Sequence, residues 1–144
     1  MIRPLTISLA ASLSLAMPSA MADCFDAAAV YQHVHPDLLR AIAWQESRGR
    51  ATALHRNVNG TIDYGMMQIN SIHLKDLSGY GIATDSLMDP CVSVYVAAWH
   101  LRSKMLKYGN TWDAVGSYHS ETPAERDRYK RSIMRIVQQR SYAR

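Results

Sequence analysis

The sequence predicts a mainly α, single-domain protein with a small irregular or β-hairpin segment around residues 55–65. Three observations lead there. Apolar residues recur at helical spacing along most of the chain, and strand-like runs are few. Prolines stand at three helix starts, Pro36, Pro90 and Pro123, where the missing N–H costs nothing. Between Gly49 and Tyr64 the periodicity dissolves into a turn-rich stretch, Arg-Asn-Val-Asn-Gly-Thr-Ile-Asp. The length of 144 residues suits one domain, since domains usually run to roughly 100–200 residues. With 48% apolar and 19% charged residues the chain can bury a core, which excludes disorder. Its 7 Gly and 5 Pro follow no period, which excludes a collagen-like chain, and no repeat of roughly 20–50 residues suggests a solenoid or propeller.

In chain order, Met1 to Ala22 reads as a secretory signal peptide. It has a short basic start, an apolar stretch from Leu5 to Met17, and small residues at Ala20 and Ala22 before Asp23. That apolar run is too short to span a bilayer, which takes about 20 apolar residues. The mature domain is therefore expected over 23–144, exported to the periplasm. Phe25 to His33 suits a short first helix. Pro36 opens a second that carries Leu38, Leu39, Ile42 and Ala43 and runs to about Ser47. Asn59-Gly60 suits a hairpin turn. Gly65 to Gly79 resumes helix-like spacing through Met66, Ile69, Ile72, His73 and Leu77. Asp89-Pro90 starts a long helix, with Tyr95, Ala98, Trp99, Met105 and Leu106 at helical spacing, which Gly109-Asn110 ends. Thr111 caps a short helix through Tyr118. Thr122-Pro123-Ala124-Glu125 is a capping box, and the last helix sets Tyr129, Ile133, Ile136 and Val137 on one stripe.

The formal charge of +4 is unevenly spread. Residues 125–144 hold seven basic residues and two acids, whereas residues 23–124 hold eight basic and ten acidic ones. The excess thus belongs to one helix, as a solvated face or as a contact for an anionic polymer, membrane or partner. Nucleic acid is not an expected partner, because the chain is exported and carries no reading motif. Cys24 and Cys91 are the two cysteines of an exported chain, so a disulfide between them is expected. They form no zinc pattern, and the six histidines lack metal-ligand spacing apart from the close pair His33 and His35. Neither a metal nor a cofactor is expected.

The chemistry points to two carboxylates. Glu46 shares a helix face with Leu39, Ile42 and Ala43, because spacings of three and four return to the same side. A glutamate on an apolar stripe is desolvated, which raises its pKa and keeps the proton that a general acid needs. Asp63 follows the turn-rich segment, and a hairpin-like return brings it opposite Glu46 across a cleft, as a glycosidase requires. Each residue alone also has an ordinary reading, a solvated helix-end glutamate and a turn-forming aspartate.

Residue order is more specific than spacing. Ala-Ile-Ala-Trp-Gln-Glu46-Ser47, then Tyr64-Gly65-Met66-Met67-Gln68-Ile69-Asn70, then Ala114-Val115-Gly116-Ser117-Tyr118-His119, resembles the signature of the lytic transglycosylases of the lysozyme-like superfamily. The stretch Asn57-x-Asn59-Gly60-x-x-Asp63-Tyr64-Gly65 is similar to the active-site stretch of animal c-type lysozymes. The chain most resembles the small transglycosylases that accompany type III secretion, conjugation and pilus machines.

The resemblance implies an α+β lysozyme-like fold, peptidoglycan glycan strands as substrate, and Glu46 as the catalytic acid and base. Ser47 and Gln68 would orient the sugar or the carboxyl, and Tyr118 would hydrogen-bond near Glu46 and line the cleft. Met66 and Met67 are expected in the core. Asp63 would be an electrostatic stabiliser or the nucleophile of a lysozyme-like hydrolysis. The family usually has Asn after the tyrosine, where this chain has His119. Two further readings compete with the transglycosylase: a muramidase using water, and a wall-binding assembly factor without activity.

Overall fold

A computed structural model describes residues 20–142. The expected leader, residues 1–22, lies outside the described residues except for its last three, which open the first helix. Six helices and three short strands follow one another: α1 (Ala20–Gln32), α2 (Pro36–Ser47), β1 (Leu54–Arg56), β2 (Ile62–Tyr64), β3 (Ile69–Asn70), α3 (Leu74–Ser78), α4 (Pro90–Tyr108), α5 (Trp112–Gly116) and α6 (Pro123–Tyr142). The strands form one antiparallel sheet in the order β1-β2-β3. This is the mainly α, α+β lysozyme-like fold the sequence predicts, with the hairpin where the periodicity fails.

Local chemistry sets the helix ends. His35 Nδ1 accepts the Asp37 N–H at 3.1 Å to start α2. Asp89 accepts the Val92 N–H at 2.9 Å to start α4, and Thr111 accepts the Ala114 N–H at 3.2 Å to start α5. Helix α2 stops at Arg48, which adopts the left-handed conformation (φ 58°), and the Gly49 N–H returns to the Ala43 carbonyl at 3.2 Å. That stop leaves Glu46 in the last turn. The reciprocal cap expected at Thr122 does not form. The Thr122 N–H donates to Ser120 Oγ, and Glu125 turns outward to Arg128 at 3.2 Å.

Helix α4 is the central post, packed by α1, α2 and α5. Its buried stripe is Val94, Ala97, Ala98, Leu101 and Met105. The sequence expectation put Tyr95 and Leu106 on this stripe, yet they are exposed at 38% and 72%. The smaller set at spacings of three and four wins, and it presents alanines to neighbours that pack closely. Cys24 in α1 and Cys91 in α4 form the expected disulfide, with Cα atoms 5.4 Å apart. On α6, Lys130 pairs with Asp113 at 2.6 Å and Asp127 at 3.1 Å, and Arg126 with Asp127 at 3.3 Å. Part of the basic excess is therefore met inside the domain.

The segment from Gly65 to Gly79 departs most from expectation. Instead of one helix it forms a tight turn, strand β3, a 3-10 turn at Ser71–His73 and the short α3. Gly65 (φ 73°) and Gln68 (φ 51°) are both left-handed, which breaks any helix. The expected stripe fails accordingly: Ile72 is exposed, while the adjacent Met66 and Met67 are both buried, which one helix face does not provide.

Gly65 has no room for a side chain, since a Cβ would lie 1.9 Å from the Leu87 carbonyl oxygen. Gly60 is also left-handed (φ 86°) but faces open space. Gly65→Ala should therefore cost about 2–4 kcal/mol and Gly60→Ala about 1 kcal/mol, read by denaturant unfolding. Equal losses would show that backbone conformation, not the close approach to Leu87, constrains Gly65.

Candidate active site

Glu46, Asp63, Gln68, Tyr118 and His119 line one cavity of about 630 Å³ between the helical part and the sheet. Glu46 reaches it from the last turn of α2. The Tyr129 hydroxyl on α6 donates to Glu46 Oε1 at 2.5 Å. A carboxylic acid accepts on its carbonyl oxygen and donates from the other, so this bond leaves Oε2 to carry and deliver the proton. Burial pushes the Glu46 pKa from its ordinary 4.5 up to about 7; the Tyr129 bond opposes this and the nearby Asp63 charge adds to it. Glu46 therefore holds its proton near neutrality yet can lose it, which suits a group that acts in turn as acid and base.

Asp63 is held differently. It sits on β2 directly across from Asn70 on β3. Its Oδ1 accepts from Asn70 Nδ2 at 2.6 Å and its Oδ2 from Asn57 Nδ2 at 2.9 Å. The same two amides donate to Thr61 Oγ1, at 3.0 and 3.1 Å. Thr61 in turn donates through its N–H and hydroxyl to Asn59 Oδ1. The hairpin thus builds a polar cradle in which both oxygens of Asp63 act as acceptors. Both Asp63 oxygens are thus met by amide donors, whereas the Glu46 carboxyl is desolvated by burial.

The other sequence-selected residues occupy distinct places. Ser47 is buried and donates to the Met66 carbonyl at 2.7 Å, so it faces the turn behind the cavity and not the cavity itself. The Tyr118 hydroxyl donates to the Met67 carbonyl at 2.9 Å, not to Glu46. Gln68 Nε2 donates to the Gly65 carbonyl at 2.9 Å and the Ala53 carbonyl at 3.2 Å while the residue lines the cavity. Met66 and Met67 are core, as expected.

The expectation missed Tyr129, Asn57 and Asn70. Tyr129 was legible only as an apolar position on α6. The available signal was a tyrosine in an otherwise aliphatic stripe, because a buried phenol needs a hydrogen-bond partner.

Two carboxyls in opposite environments, one on a helix end and one on a small sheet, facing a common cleft, define a lysozyme-like domain. The Transglycosylase SLT domain matches residues 23–135. The chain belongs to this family. Invasion protein IagB of Salmonella typhimurium (strain LT2) is 42% identical over 124 residues, covering 85% of this chain and 78% of that protein. Protein IpgF of Shigella flexneri is 41% identical over 119 residues, 79% of this chain and 78% of that protein. An X polypeptide of Escherichia coli is 43% identical over 99 residues, 68% of this chain. That match spans 59% of the X polypeptide's length.

The raised Glu46 pKa has a consequence for stability. Below pH 4.5 Glu46 is protonated in both folded and unfolded chains and costs nothing. As pH rises from about 4.5 to about 7 the folded state keeps a proton that the unfolded state has released, and above about 7 it buries a charge, so the cost builds between these values and then stays constant. Glu46→Gln removes that cost. The variant should match the wild type at pH 4 and exceed it at pH 8 by up to about 3 kcal/mol in urea unfolding, from about 1.4 kcal/mol per pH unit. A variant less stable at pH 8 would contradict the desolvation of Glu46.

Proposed function

We propose that the protein is a peptidoglycan lytic transglycosylase that cleaves the β-1,4 bond from N-acetylmuramic acid to N-acetylglucosamine. The observation that carries this reading is Glu46, protonated near neutrality, bonded on one oxygen by Tyr129 and sharing a cavity with Asp63. Glu46 donates its proton to the linking oxygen as the bond to C1 of the muramic residue breaks. The electron pair leaves with that oxygen, and positive charge spreads over C1 and the ring oxygen. The Asp63 carboxylate stabilises this charge across the cleft. The C6 hydroxyl oxygen of the same sugar then attacks C1, and Glu46, now a carboxylate, takes the hydroxyl proton. The product is a 1,6-anhydro end. No water is consumed, and Glu46 finishes protonated, ready for the next bond.

Asp63 favours a second reading, in which water attacks C1 and leaves a reducing end. The Asn57 and Asn70 amides on both its oxygens withdraw electron density from the carboxylate and hold it in place, which suits electrostatic stabilisation better than nucleophilic attack. Digestion of purified sacculi separates the outcomes, because anhydro ends are lighter than reducing ends by one water. Anhydro ends are expected. Reducing ends alone would establish the hydrolase.

Glu46→Gln should abolish release of soluble fragments, and Asp63→Asn should lower it by about 100-fold or more, as loss of a group stabilising transition-state charge does. Equal clearing by Glu46→Gln and wild type would leave a wall-binding assembly factor as the reading. Activity should fall as pH rises above about 7, where Glu46 loses its proton.

Export to the periplasm belongs to the same proposal, supported by the signal-like residues 1–22 and the Cys24–Cys91 disulfide. So does service to a secretion, conjugation or pilus machine, for which the likeness to an invasion protein is the support.

A further inference from the structure

His119 stands where the family signature has asparagine, and the steps above give it no task. Its ring lies parallel to that of Tyr129, with an interplanar angle of 5° and centroids 5.1 Å apart. Tyr118, the preceding residue, is also near parallel to Tyr129, at 16° and 6.3 Å. Tyr118 is itself fixed by its bond to the Met67 carbonyl. Two successive rings from the segment after α5 therefore set the plane of Tyr129. That plane matters because a hydrogen bond weakens steeply with misalignment, and a tilt of the phenol carries its hydroxyl away from Glu46 Oε1. Asparagine has no aromatic face to offer. His119 also lines the cavity beside Glu46 and is exposed, so packing of the core does not explain its conformation.

We infer that His119 is a positioning residue: stacked on Tyr129, it holds the phenol hydroxyl on the Glu46 carboxyl. This rests on Glu46 as the acid of the proposed reaction. The titratable groups that act on Glu46 are Tyr129 from α6, Asp63 from β2 and Tyr118 after α5. Only the Tyr129 bond depends on the His119 stack, because Asp63 has its own amide donors and Tyr118 its own carbonyl.

The test compares His119→Ala, His119→Asn and His119→Phe on sacculi, with kcat, KM, the pH profile and the unfolding temperature measured for each. Ala and Asn should lower kcat about five- to tenfold, the size of a lost aromatic stack, with little change in KM. Their alkaline limb should move to higher pH, because the Tyr129 bond favours the Glu46 carboxylate and loosening it strengthens the hold on the proton. Phe, which keeps the face and loses the N–H groups, should restore most of both. The inference is overturned if the limb stays in place in His119→Ala. It is equally overturned if only the unfolding temperature falls, or if Phe is as slow as Ala. NMR titration of the Glu46 carboxyl in wild type and His119→Ala makes the same comparison without turnover. A higher Glu46 pKa in the variant upholds the stack even where sacculi remain uncut, and an equal pKa overturns it even where they are cut.

Discussion

Ser47 and Tyr118 each donate a hydrogen bond to one turn, to the carbonyls of Met66 and Met67. Ser93 on α4 accepts the Met67 N–H from the same turn. Three parts of the chain that are remote in sequence thus converge on two peptide groups. Helix α2 brings Glu46, the strand that enters the turn brings Asp63, and the segment after α5 brings the rings beside Tyr129. Gly65, pressed against the Leu87 carbonyl, admits no side chain that would push the turn outward. The relation between the two carboxyls is therefore set by a backbone clamp rather than by contact between the carboxyls themselves.

That clamp explains why the site is asymmetric. Glu46 arrives on a helix whose neighbours are apolar, at a carbonyl end that offers no N–H donors to a charge. Asp63 arrives on a hairpin, where alternating residues bring Asn57, Thr61 and Asn70 to one face around it. Identical functional groups acquire different surroundings because one element supplies hydrocarbon and the other supplies amides. Tyr129 moderates the first environment with a single donor, keeping the acid strong enough to release its proton.

Much of this was readable before the structure. Pro36, Pro90 and Pro123 marked helix starts correctly, and Asn59-Gly60 marked the hairpin, because these signals act within a few residues. The Glu46 environment was readable from its spacing to Leu39, Ile42 and Ala43. What escaped were effects that depend on distant partners. Gly65 and Gln68 adopt left-handed conformations that no periodicity predicts, and Met66, Ile69, Ile72, His73 and Leu77 imitated a helical stripe although Ile72 is exposed. Ser47 and Tyr118 belong to the motif, yet their hydroxyls serve backbone carbonyls. Tyr129 lies 83 positions from Glu46, too far for any local pattern to connect them.

The hairpin also divides into parts with different freedom to change. Asn57 and Thr61 are committed to the Asp63 cradle, but between them Val58 is fully exposed and Gly60 borders open space. Val58 is therefore a crest on the cleft wall whose side chain can change without disturbing either carboxyl or its donors, whereas Asn59 is held in the cradle by the Thr61 N–H and hydroxyl. The side chain at position 58 thus sets the rim of the cleft independently of the chemistry inside it.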